Sequence, residues 1–332
     1  MFPYSCAMAD THLGRLREQV EHFDRRKERA STRLADYPSG AWRFALAGLS
    51  VVPPTGASLG EFGELLPVQE PPGEIELASG LNDRQAFSAI GRHMRGVTFE
   101  LALPPEYEEL SLALELGWTI IAGLRLKSGC EFIVPAVANH SWGTIAAADE
   151  ASVHAQLLED YPRARRASQV SEAAVSTEDC RWVSENLVGL LKLRADQEFH
   201  FALECLSESY VQESWRLAAT VLWAGIEALV QVSAEVTYRL SLSVAALLEQ
   251  PGPERLATFK MVKKLYGMRS RAVHGAHVAE DDLRKHVLLA RSILERCLQE
   301  IVEIGKVPSV ADLEALLMGV TLPVGEPIAT SD

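Results

Sequence analysis

The chain of 332 residues is 48% apolar and 23% charged, with a formal net charge of -13. Such a composition supplies a full core, most simply divided between two domains. The charge excludes a general attraction of the whole surface to nucleic acid, so any nucleic-acid site has to be local.

The opening MFPYSCAMAD has neither the basic region nor the apolar core of a secretory signal. Residues 1–37 are predicted as an amphipathic helical lead-in, with Leu13, Leu16, Val20 and Phe23 at helical spacing among many charges. Residues 38–172 read as an α+β domain, a candidate sensor or regulator. AWRFALAGLSVV, GWTIIAGLRL and EFIVPAVA have strand character there, NDRQAFSAIGRHM and PEYEELSLALEL have helix character, and residues 53–80 form a Pro- and Gly-rich loop. Asn139, His140, Ser141 and Trp142 make a polar cluster after EFIVPAVA, best taken as a turn.

Small and polar residues dominate 165–179, and strand signals stop beyond them. Residues 179–320 read as an all-α bundle, with helices expected at 179–211, 213–233, 237–248, 253–274, 280–304 and 310–318, before a tail at 321–332. The run 217–234 is long and apolar but holds Glu227 near its centre. A mid-membrane carboxylate costs roughly 2 to 3 kcal/mol or more, so a core helix is expected rather than a membrane span. In 280–304 a seam of Leu283, Val287, Ala290, Leu294, Cys297, Ile301 and Ile304 steps by three and four and predicts burial against neighbouring helices.

Cys6, Cys130, Cys180, Cys205 and Cys297 are scattered, without a C-x2-C pair, and read as reduced thiols of a cytoplasmic protein. His200, His277 and His286 lack partners at metal-ligand spacing, so neither metal nor cofactor is expected.

Residues 255–279 contain no Asp or Glu, yet hold Arg255, Lys260, Lys263, Lys264, Arg269 and Arg271. A solvated helix face accounts for such a run in general. Leu256, Phe259, Val262, Tyr266, Arg269 and Val273, however, form one stripe beside Met261, Leu265, Met268 and Ala272, which places Arg269 on a face expected to be buried. A buried guanidinium needs a carboxylate, carbonyls or an external anion, and Glu227 is the obvious internal partner. His274 precedes Gly275, a residue suited to ending a helix. The α-carbons of Arg269 and His274 would lie roughly 7.5 Å and 140° apart on an ideal helix, close enough for both heads to reach one phosphate as the helix unwinds. A histidine at a helix C-terminus also serves simply as a partner for the helix dipole.

TYRLSLSVAALLE (237–249) followed by ERLATFKMVKKLYGMRSRAVHG (254–275) resembles HEPN domains, especially the Apea-like branch, over about residues 180–305. RSRAVH has the Arg-x4-His form of that family's motif. The position after the arginine, often Asn, Asp or His in the family, is Ser270, which can still donate or accept a hydrogen bond. The resemblance implies metal-independent RNA cleavage in antiphage defence or toxin-like activity, with a phage trigger or regulatory protein as a further partner. Arg269 would stabilise charge on the scissile phosphate and His274 would act as general acid or base. Glu227 would orient Arg269, and Lys263, Lys264 and Arg271 would guide the RNA backbone in a cleft formed by a homodimer. The alternative is a non-catalytic helical module that dimerises and binds RNA or protein.

Overall fold

The computed structural model describes residues 4–34, 40–81, 84–148, 153–159, 174–232, 235–273 and 278–322. His274 and His277 therefore lie outside the described residues, as does nearly all of the tail. The chain forms two compact units, the first comprising Met1–Gly117, Phe132–Asp160 and Ala174–Thr177, the second Trp118–Glu131, Tyr161–Ala173 and Glu178–Asp332.

In the first unit the strand β1 (Arg43–Ala47) is buried at all five positions, because it is flanked by a neighbour on each edge and covered on both faces. It pairs antiparallel with β5 (Val97–Ala102) and β6 (Ala136–Ala138), and β2 (Val51–Val52) pairs parallel with β8 (Val175–Ser176). With β3 (Ala57–Ser58), β4 (Glu64–Pro67) and β7 (Ala155–Leu157), the main sheet has the order β3-β4-β5-β1-β6-β7. Strand side chains alternate between faces. Ala45 and Ala47 pack with Leu77 of α2 (Glu74–Gly80) and with Ile90 and Met94 of α3 (Arg84–Met94). On the other face Phe44 meets Gly117, where an added Cβ would fall 2.2 Å from the Phe44 ring.

The lead-in is a helix, α1 (Tyr4–Leu34). Of its predicted apolar stripe, the side chains of Leu13 and Leu16 lie outside the described residues, while Val20 is exposed and Phe23 half-buried. Arg29 and Arg33 pair with Glu70, and Arg26 with Glu76.

Three local expectations are corrected. GWTIIAGLRL is not a strand: it continues α4 (Leu110–Ser128), in which Ala113, Leu116, Ile120 and Leu124 are buried at helical spacing. Its β-branched residues look strand-like, but a short apolar run does not by itself distinguish strand from buried helix. The supposed loop at 53–80 contains β3, β4 and α2. The helix expected at 179–211 is two, α5 (Thr177–Leu193) and α6 (Gln197–Val211), because Asp196 caps a new start by accepting from the amides of Glu198 and Phe199 at 3.1 and 3.0 Å.

The second unit continues with α7 (Trp215–Val230), α8 (Val236–Leu248), α9 (Pro253–Val273), α10 (Glu280–Ile304) and α11 (Val310–Leu317). The α10 seam is buried from Leu283 through Ile301, against a core that includes Phe199, Leu222, Trp223, Ile226, Val244 and Val262. No helix among the described residues is long and apolar enough to cross a membrane.

Candidate functional site

Glu227 and Trp223 lie one turn apart on α7, and α9 packs its Val262, Leu265 and Tyr266 into the same core. Tyr266 donates its hydroxyl to Glu227 Oε1 at 2.9 Å, and Arg269 Nη2 stands 3.4 Å from that same oxygen. The Arg269 guanidinium carbon is 5.5 Å from the centre of the Tyr266 ring, within cation–π range. Burial first, and then Glu227, raises the Tyr266 pKa to about 12, so its hydroxyl remains a donor.

Behind the tyrosine, Trp223 meets the Tyr266 ring edge-on at 5.2 Å and donates its indole N–H to His286 Nε2 at 2.9 Å. Burial lowers the His286 pKa from 6.5 to about 4. A neutral ring that accepts at Nε2 carries its proton on Nδ1, and this buried Nδ1 has no partner among the described residues. His286, a solitary histidine by sequence spacing, is thus the inner end of a chain of interactions running through Trp223, Tyr266 and Glu227 to Arg269. Its partner is 63 residues away in sequence, and no local spacing announces it.

The expected stripe on α9 needs correction. Leu256 is 52% exposed and Phe259 half-buried, while Thr258, Val262, Leu265 and Tyr266 form the inward line. The Arg269 side chain is 21% exposed and that of Glu227 33%, so the arginine stands at the margin of the core rather than within it. Arg269 Nε is nevertheless buried without a partner among the described residues.

Lys263, Lys264 and Arg271 are exposed and Ser270 is half-buried. At roughly 100° per residue, Lys263, Lys264 and Arg271 point at least 120° away from Arg269. The structure brings Arg269 and Glu227 together but does not gather the two lysines and Arg271 around them. The described part of α9 runs to Val273, and the predicted site residue His274 lies outside the described residues.

Two further polar groupings are assembled from residues distant in the sequence. In the first unit, Glu100 on β5 pairs with Arg43 on β1 at 2.6 Å and accepts from the Trp142 amide and the Ser141 hydroxyl at 2.8 and 3.1 Å. These bonds pin the Asn139–Trp142 turn, so its polar side chains have structural work. In the second unit, Arg291 of α10 forms a buried ion pair with Glu131, lies 4.1 Å from the centre of the Tyr210 ring, and is followed one turn later by Glu295. Burial, opposed by Arg291, raises the Glu295 pKa to about 7.

A cavity of about 480 Å³ in the helical unit is lined by Glu249, Glu254, Glu300, Glu303 and Arg255 among others, but by neither Arg269 nor Glu227. Its acidic wall is unsuited to phosphate. Among the described residues no group of His, Cys, Asp and Glu is arranged to hold a metal ion. Compared with protein-family models, curated proteins and solved structures, the chain matches none.

Proposed function

We propose that the helical unit is a HEPN-like, metal-independent endoribonuclease of antiphage defence or toxin type, with Arg269 and His274 acting on the scissile phosphate. The observation that carries this reading is the partly exposed Arg269, braced by Glu227 and Tyr266 in the last turns of a basic helix, next to the point where His274 follows. In the reaction the RNA 2′-hydroxyl oxygen attacks the adjacent phosphorus and the bond to the 5′-oxygen breaks. A 2′,3′-cyclic phosphate and a 5′-hydroxyl result. His274 moves the proton, either taking it from the 2′-hydroxyl or giving it to the departing oxygen, and Arg269 offers a planar, permanently charged donor set to the phosphorane oxygens. The first unit serves as a sensor or restraint, and a second copy of the helical unit completes the cleft.

The test is RNA cleavage in EDTA by the wild type, Arg269→Ala and His274→Ala. Cleavage to cyclic-phosphate ends by the wild type alone supports the reading; equal cleavage by all three, or none by the wild type under activating conditions, removes it.

The competing reading is a non-catalytic RNA- or protein-binding module. The ion pair between Arg269 and Glu227 favours it, because a guanidinium already matched with a carboxylate has a structural role without substrate. In that case His274→Ala leaves function intact.

A further inference from the structure

α9 presents two different surfaces. Arg269 turns toward Glu227, whereas Leu256, Lys260, Lys263, Gly267 and Arg271 lie within roughly 80° of one another on the opposite, outward side. Beside that side stands an aromatic pair: Tyr238 of α8 and Phe259 of α9 meet edge to face with centroids 5.6 Å apart, and Lys263 Nζ lies 5.6 Å and 5.7 Å from their respective centres. Tyr238 is 49% exposed and Leu256 52%, far more than core packing requires of such large apolar groups. Residues 255–273 contain no acid, and from 231 to 248 Glu235 is the only one, so this face is cationic on a chain whose net charge is -13.

An exposed tyrosine ring, backed edge to face by the half-buried Phe259 and set beside lysines, fits one chemistry well. A single-stranded nucleic acid offers unpaired base faces to stack on aromatic rings and phosphates to meet the ammonium groups, whereas a duplex hides its base faces. An acidic protein would use the charges but would leave the rings without that specific role.

We infer that Tyr238, backed by Phe259 and flanked by Lys263 with Lys260 on the same outward side, forms a base-stacking platform for single-stranded RNA, separate from Arg269. The inference rests on the ribonuclease reading only for the choice of RNA. The platform holds a segment of substrate by stacking and phosphate pairing while another segment reaches the reacting residues.

The experiment measures anisotropy of a labelled 2′-O-methyl oligouridine of about 12 nucleotides, long enough for one binding site and lacking the 2′-hydroxyl needed for cleavage. The protein is the full chain. Tyr238→Ala should weaken binding about tenfold and Tyr238→Phe by no more than about twofold, since the ring rather than the hydroxyl stacks. Affinity for a duplex of equal length should be the same for wild type and Tyr238→Ala. Replacing Lys260 and Lys263 by Gln should reduce the salt slope by about 0.7 for each phosphate no longer neutralised.

No binding by the wild type, or equal single-strand binding by wild type and Tyr238→Ala, overturns the platform. Conversion of a wild-type dimer to monomers by Leu256→Glu also overturns it, because the face then belongs to a second copy. Oligonucleotide binding that depends on Tyr238, in a protein that cleaves no RNA, sustains the platform and removes only the ribonuclease reading.

Discussion

Tyr266 and Arg269, three residues apart on α9, converge on one oxygen of Glu227, the tyrosine at 2.9 Å and the arginine at 3.4 Å. The shorter distance belongs to the neutral donor, so Tyr266 fixes the carboxylate against which Arg269 is placed. Tyr266→Phe should therefore lower stability by about 1 kcal/mol through removal of the hydrogen bond and, if the proposed ribonuclease reading holds, reduce RNA cleavage through looser placement of Arg269. Glu227→Gln should preserve the fold and reduce cleavage more strongly. Thermal melting and single-turnover cleavage check both, and unchanged cleavage in Glu227→Gln would leave the pair a structural one.

His286 and Glu295, on the same helix, tie stability to pH in opposite directions. Burial depresses His286 from 6.5 to about 4, so its contribution is present above pH 6.5 and lost as pH falls toward 4. Glu295 is raised from 4.5 to about 7, so its contribution is complete below 4.5 and lost as pH rises through 7. Each effect is on the order of 3 kcal/mol, and in the shared acidic window they offset one another. In denaturant titrations, the stability gained by Glu295→Gln over wild type should grow from pH 4.5 to 7. His286→Gln, which keeps an acceptor for Trp223, should instead show its gain growing as pH falls from 6.5. A pH-independent difference in either variant contradicts the assignment for that residue.

The buried pair of Arg291 and Glu131 should behave asymmetrically under mutation. Arg291→Met removes the hydrogen-bonded partner of Glu131 and leaves only the charge of Arg125 acting on it, which should cost about 3 kcal/mol, whereas adding Glu131→Leu should recover much of that loss. A double-mutant cycle on equilibrium unfolding gives the coupling; additive losses would mean that the two charges do not depend on each other.

How much of the fold and the site is legible in the sequence follows from the range of each interaction. The seam of α10 and the turns of α9 are readable because helical burial repeats every three to four residues. The link from Glu227 to Arg269 follows from a lone acid in an apolar helix and a basic residue one turn beyond the buried Tyr266, although the stripe expected around Arg269 is only partly buried. β5 stays hidden although Val97, Phe99 and Leu101 alternate with Thr98 and Glu100; only the pairing with Arg43 shows why a glutamate belongs inside. His286, Arg291 and Glu295 carry no local signal because their environment is assembled from residues far away in the chain. Glu131, for instance, lies 160 positions before its arginine.

Gly267 offers a test on the outward side of α9, where an added Cβ would meet no atom within 4 Å. Gly267→Ala should stabilise the protein by about 0.5 to 1 kcal/mol, by removing backbone freedom from the unfolded chain. Gly117→Ala, forced against the Phe44 ring, should lower the melting temperature instead. Loss of stability in Gly267→Ala would show that the glycine is needed for another reason.

The sheet around β1 also sets a timetable for synthesis. β1 needs β6, which begins 93 residues after Arg43, and β2 needs β8 at Val175–Ser176, just before α5 begins. A ribosome-bound chain therefore carries the apolar β1 unprotected on one edge until β6 has emerged, and the first unit cannot close until its last strand has left the exit tunnel. The newborn chain is accordingly most exposed to chaperones and to faulty strand pairing while its middle third is being made.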